Sequence, residues 1–250
     1  MSIYGMDKDL KIIIRAARIM LQNGAETYRV EDSIDYMAER LGLRAQSYVT
    51  PTGIFVMVED EDTRTATRVR AISNRGFDLS KLDDMNQFSR SYDFRDYSWE
   101  ETMEYLASVD HRTSKYPRWF IWLCAGLASG GFAFIFGENI SETIAAVIAG
   151  TAAMVAASLF SKRRAHLFLN SFLGGLTAML VANLMGEFFP QADVNLIIIG
   201  GVMPLVPGVA ITSAARDLVM DHLVSGLARA GEALMVAAAI AVGVAFKYFL

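Results

Sequence analysis

Residues 119–137 and 143–161 each run for 19 residues without a charged side chain, residues 167–186 for 20 and residues 194–215 for 22. A fifth apolar run, 233–246, reaches spanning length once Glu232 and Lys247 are placed at the interfaces. About 20 apolar residues in a helix cross the hydrocarbon of a bilayer. One such run can be a core helix of a soluble protein, but five in succession joined by short loops cannot. In lipid every backbone polar group must be paired internally, which leaves helices or a closed barrel. The expectation is a multi-pass α-helical membrane protein with five spans in residues 119–250. Gly126, Gly130, Gly131, Gly150, Gly174, Gly175 and Gly243 permit close helix packing within it.

Charge divides the chain. Residues 1–118 carry 17 Lys/Arg and 20 Asp/Glu, against 6 and 7 in residues 119–250. The N-terminal part therefore reads as a separate water-exposed domain, 1–118, ahead of the membrane domain, 119–250. A net charge of −4 and a pI near 5.4 argue against a nucleic-acid partner. The one cysteine, Cys124, excludes an intrachain disulfide and a multi-cysteine metal site, and is expected simply to pack. The first 20 residues alternate charged and apolar side chains and do not form a signal peptide. Arg112, Lys115, Arg118 and Lys162, Arg163, Arg164 flank the spans on one side, while the loops 137–142 and 186–193 contain no Lys or Arg. The positive-inside rule then places the N-terminus in the cytosol and the C-terminus outside. Trp119, Trp122 and Tyr248 suit the interfaces, and His166 reads as an interface residue opening the third span.

Within residues 1–118 the apolar spacing predicts helices over 7–22 and 25–41, then strands over 45–50, 53–59 and 64–72, then helices near 79–92 and 98–109. Asn23-Gly24 and Gly42 are stop signals, Pro51-Thr52-Gly53 and the acidic run 59–62 are turns, and Ser98 with Glu101 forms a capping box. Apolar side chains at every position of 54–58 suggest a central strand covered on both faces. The domain is α+β.

The fourth apolar run carries Gly200, Gly201, Pro204, Pro207 and Gly208 in nine residues. Proline removes a helical donor and clashes with the preceding turn, so this span is expected to break. A break at membrane depth is tolerated in a protein interior or at a wet cavity, and such helix ends are where secondary transporters hold polar solutes. Residues 213–229 follow as an amphipathic helix with Val219, Leu223 and Leu227 on one stripe and Asp217, Asp221, Ser225 and Arg229 on another. Its plainest role is an interfacial helix at the headgroups; its functional role would put Arg216, Asp217 or Arg229 at the inner mouth of a pathway. Asn170, Asn183 and Glu232 are further polar candidates in or beside spans. Pro204, Pro207, Gly208, Arg216, Asp217 and Asn183 are thus the candidate substrate-binding residues.

The string 23–32, NGAETYRVED, holds Glu26, Arg29, Glu31 and Asp32. On spacing alone these form a solvated face with ordinary ion pairs. There is no nucleophile elbow, phosphate loop or zinc-ligand spacing, and no cofactor or metal is expected. Five spans with termini on opposite sides make half of an inverted repeat, so a second half must come from another chain or a second copy.

The string 23–32, together with Pro204-Leu205-Val206-Pro207-Gly208, Ala215-Arg216-Asp217-Leu218 and Ser225-Gly226-Leu227-Ala228-Arg229, resembles the bacterial threonine/serine exporter family over nearly the whole chain. The layout is similar to the large subunit of the split form of that family, in which a smaller membrane protein supplies the other half. Where the family often has Gly-Asp after the Arg-Asp-Leu run, this chain has Met220-Asp221, which leaves a tight turn in question. The resemblance implies ion-driven export of threonine and serine, or of succinate-like dicarboxylates, across the inner membrane. It also leaves open a hydrolase-like role for the N-terminal domain, with Glu26, Thr27 and Arg29 doing the chemistry.

Overall fold

The computed structural model describes residues 3–73, 75–91, 96–113, 116–161 and 167–248. Two compact units emerge: residues 1–114 with 212–229, and residues 115–211 with 230–250. Lys115, the loop cations Lys162, Arg163 and Arg164, and the interfacial His166 lie outside the described residues.

The first unit contains α1 (Ile3–Gln22), α2 (Thr27–Arg40), β1 (Arg44–Thr50), β2 (Gly53–Glu59), β3 (Thr65–Ala71), α3 (Leu79–Ser91) and α4 (Trp99–His111). Leu10, Ile13, Ala17 and Leu21 of α1 are buried against Val30, Ile34 and Met37 of α2. Gly24 ends α1 at φ +98°, and a Cβ there would stand 2.5 Å from the Phe77 ring, so glycine is required on both counts. Ser98 and Glu101 form the expected capping box at the start of α4.

The strands form an antiparallel meander with β2 in the middle. Ile54, Val56 and Val58 are buried, but the intervening Phe55 is exposed, with Tyr48 and Val69 as its cross-strand partners. The expectation that β2 is covered on both faces is therefore corrected. Strand side chains alternate, and the helices of this unit cover one face only. Composition was misleading because an apolar residue can face either way. The acidic turn closes on Asp60, whose carboxylate accepts from the Asp62 and Arg64 amides at 3.1 and 3.0 Å and from Arg64 Nε at 2.9 Å. Those donors hold its pKa below the ordinary value despite burial.

The second unit contains α5 (Arg118–Gly137), α6 (Ile140–Ser161), α7 (Leu167–Phe188), α8 (Val194–Val202), a 3₁₀ turn (Met203–Leu205), the first turn of α9 (Gly208–Val219) and α10 (Leu223–Ala245) from Ala230 onward. Four helices among the described residues are long and apolar enough to span a membrane, and α8 with α9, bent by 57°, brings the count to five if that pair is taken as one broken span. The core is built of small side chains: Ala133, Ala146, Ala149, Ala178 and Ala182 are fully buried. Lipid provides no hydrophobic drive between helices, so close backbone approach supplies the packing energy. A Cβ on Gly175 would meet the Ile240 carbonyl at 2.7 Å, which shows how tightly α7 and α10 cross. Cys124 is exposed on α5 rather than packed in this interior.

Candidate functional site

The fourth span breaks, though not by all five residues expected to break it. Gly200 and Gly201 are helical and buried in α8. A Cβ on Gly200 would lie 2.8 Å from the Ser129 carbonyl and 2.9 Å from Ala133 Cβ, so this glycine serves close packing. The prolines make the break. In a regular helix the Gly200 and Met203 carbonyls would receive the amides of residues 204 and 207, which proline lacks. They accept instead from Met203 N and, at 3.2 Å, from Val206 N, and this tightens the chain into a 3₁₀ turn. Val206 is then extended at ψ 129° and α9 starts anew, its first bond running from Ile211 N to the Pro207 carbonyl at 3.0 Å. Gly208 has no atom within 4 Å of where its Cβ would be. Asn183, on α7, points its amide at Met179 Sδ one turn away, at 3.1 Å.

A second constellation lies wholly within the first unit. Residues 213–229 were expected to form one amphipathic helix; they are the end of α9 and the start of α10, joined by a turn at residues 220–222. Asp221 takes φ +63°, His222 N donates to the Asp217 carbonyl at 2.9 Å and Asp221 N to that of Leu218 at 3.3 Å. This is a left-handed helix cap with aspartate in the usual glycine position. The turn forms with methionine at position 220, because its left-handed residue is Asp221 and aspartate tolerates that conformation.

The hairpin so made meets the string 23–32. Arg229 Nη2 donates to the Ala25 carbonyl at 2.8 Å, and its Nε lies 3.0 Å from Asp217 Oδ2. Thr27 Oγ1 donates to Asp217 Oδ1 at 3.1 Å. Arg216 Nη1 pairs with Glu26 Oε1 at 2.6 Å, with Arg29 on the other carboxylate oxygen at 3.5 Å. His222 Nδ1 stands 3.6 Å from Glu31 Oε2, while Glu31 Oε1 accepts from the Val49 amide at 2.7 Å. Burial pushes the Glu31 carboxyl above its usual range, against the pull of the Val49 amide and His222. Asp217 is 0% exposed and the Glu26 side chain 12%. The solvated face expected for 23–32 is thus corrected at its N-terminal end: Thr27 and the Ala25 carbonyl join the buried Asp217–Arg229 pair, while Glu26 meets the exposed Arg216 and Arg29 at the rim of this ionic joint.

Of the candidate residues, Arg216, Asp217, Arg229, Glu26 and Arg29 come together here; Pro204, Pro207 and Gly208 form the break; Glu232 lies beyond the joint on α10. Thr27, Glu31, His222 and Ser225, whose hydroxyl donates to the Val49 carbonyl at 3.3 Å, take part in ways that spacing did not reveal. The available signal was the polar stripe Asp217–Ser225–Arg229, which needed a polar partner to be buried. Among the described residues no group of three or more His, Cys, Asp or Glu could hold a metal ion.

An α+β unit followed by helices that make four to five candidate spans, one interrupted at a proline pair, defines a polytopic helical membrane protein. The chain belongs to the ThrE family, described as "Putative threonine/serine exporter", which matches residues 11–250. This is a transporter family and not an enzyme family. Its relatives include a "Probable succinate transporter subunit YjjP" of Klebsiella aerogenes, 23% identical over 94% of this chain and 90% of that one. The Escherichia coli protein of the same name is 22% identical over 94% and 91%. A "Probable threonine/serine exporter" of Mycobacterium tuberculosis is 26% identical over 95% of this chain, which spans only 45% of that longer protein. No solved structure matches the chain.

Proposed function

We propose that this chain is the larger subunit of a two-part, ion-driven exporter of small carboxylate-bearing metabolites in a bacterial plasma membrane, with its N-terminal domain in the cytosol and its C-terminus outside. The observation that carries this is the proline break in the fourth span beside an exposed Gly208 and a Val209 that is 56% exposed. Nine residues of α8 rise roughly 14 Å, about half the hydrocarbon thickness, before the chain breaks. A helix end at that depth needs a polar ligand or a covering protein. The new N-terminus of α9 presents the positive end of a helix dipole, which suits a carboxylate. Pro204, Pro207 and Gly208 would shape that seat, and Asn183 would supply an amide.

Arg216 and Asp217 would act through the ionic joint, with Glu26, Arg29 and Arg229, rather than as free substrate ligands, since each already has a protein partner. Glu232 is kept as a secondary site on α10. The covering protein would be the smaller membrane subunit, or else a second copy of this chain. The relatives named as subunits, similar over about nine-tenths of their length, and a threonine/serine exporter about twice as long support a split arrangement. Succinate-like dicarboxylates, threonine and serine are the substrates to try. Co-reconstitution with a smaller membrane subunit of the proposed kind should give saturable counterflow of at least one of them, accelerated by a proton or sodium gradient. Pro207→Ala should cut that flux at least ten-fold without loss of folded protein. Absence of saturable flux for all three would sink the proposal.

A further inference from the structure

The N-terminal domain contains a cleft of roughly 450 Å³ that the transport reading does not use. That volume is in the range of small-molecule sites. Its wall on α1 presents Lys11, Arg15 and Arg18, spaced four and three apart on one helix face. The opposite wall is the free edge of the sheet. Arg68 and Arg70 alternate along β3, across from Val56 and Ile54, on the side where those residues are buried. His111 at the end of α4 closes one side, while Ile14 and Met103 supply apolar lining.

Five permanent cations thus line one cleft of a chain whose net charge is −4. Two carboxylates answer them. Asp7 binds Arg68 at 2.6 Å and Lys11 at 3.0 Å, and the Asp110 carboxylate pairs with Arg18. Arg15 and Arg70 have no hydrogen-bond or ion-pair partner among the described residues, and Arg15 Nε is buried without one. A guanidinium nitrogen out of water and without a partner, in a cleft shared with the exposed Arg70 and carrying a surplus of three positive charges, is a site suited to an anion. Planar guanidinium forks on two facing elements match the oxygens of a phosphate better than those of a single carboxylate.

We propose that this cleft binds a phosphate-bearing anion through Arg15 and Arg70, with Arg18, Arg68 and Lys11 completing the positive wall. The source is a soluble phosphate ester or polyphosphate, or the phosphate of a lipid headgroup. The site is independent of the break in the fourth span.

The test uses the full chain in phosphatidylcholine nanodiscs, titrated calorimetrically with ATP, pyrophosphate and succinate, and in parallel nanodiscs containing phosphatidylglycerol. Saturable binding of ATP or pyrophosphate, weakened at least ten-fold in Arg15→Gln/Arg70→Gln, assigns the site to a soluble phosphate. Stabilisation by phosphatidylglycerol that disappears in the same variant, with no binding of the soluble probes, assigns it to lipid. Should the double variant not fold, Arg15→Lys/Arg70→Lys keeps the charge, removes the fork and must still weaken binding. No binding by the unmodified chain in either arm, binding indifferent to both variants, or succinate binding as tightly as pyrophosphate overturns the proposal.

Discussion

Asp217 is a fully buried carboxylate in a part of the chain that composition alone would assign to the membrane. It is tolerated because Thr27 and Arg229 supply a hydrogen bond and an opposite charge within 3.1 Å. Removing one member of such a pair leaves the other charge buried and unanswered, typically at a cost of about 3–5 kcal/mol. Asp217→Asn should therefore destabilise by roughly that much. Asp217→Asn/Arg229→Met should regain much of the loss, which thermal unfolding in detergent would reveal. Asp9 makes the opposite case. Burial with no compensating partner raises its pKa from 3.8 to about 6. Because the folded value lies above the unfolded one, the penalty is absent below pH 3.8, grows between pH 4 and 6 and is constant above. Asp9→Asn should stabilise the protein by about 1 kcal/mol at pH 7, after discounting for partial exposure, and by nothing at pH 3.5. A gain that is the same at both pH values would contradict this account.

At the scale of elements, the hairpin of α9 and α10 shows how burial inverts an amphipathic pattern. Asp217, Ser225 and Arg229 face inward, while Val219, Leu223 and Leu227 are 80%, 58% and 65% exposed. An apolar face left outside in a membrane protein has lipid available to cover it. The hairpin depends on a left-handed Asp221. Asp221→Gly removes both that strain and a negative charge at a helix C-terminus, so it should stabilise by about 0.5–1 kcal/mol. Equilibrium or thermal unfolding would check the sign, and a clear loss of stability would show that Asp221 makes a contact of its own.

For the whole molecule, the exposed break and the proposed two-part arrangement lead to one expectation. Expressed alone, the chain should be less stable in detergent than when co-expressed with a smaller membrane subunit of the kind proposed. The two should co-purify, and hydrogen exchange at residues 203–211 should slow in the complex. Equal exchange with and without that protein would mean that the break is covered in another way.

What the sequence determined by itself is what depends on local periodicity and solvent. The five apolar runs, the α+β order of elements, the capping box and the place of the break were legible, because each follows from spacing, from turn chemistry or from proline's missing N–H. Even the four-apart stripe of Asp217, Asp221, Ser225 and Arg229 was visible, but its partner was not, nor was the turn that leaves Asp221 exposed. Two strings nearly 190 residues apart cannot announce that Thr27 meets Asp217 or that Glu26 meets Arg216, since those bonds exist only once a chain has returned on itself. The same holds for Gly200, helical and packed rather than breaking, and for Phe55, apolar yet outside. The tertiary structure alone decided which side of each element became interior, because burial is a property of neighbours and a sequence names only the residues that could be buried.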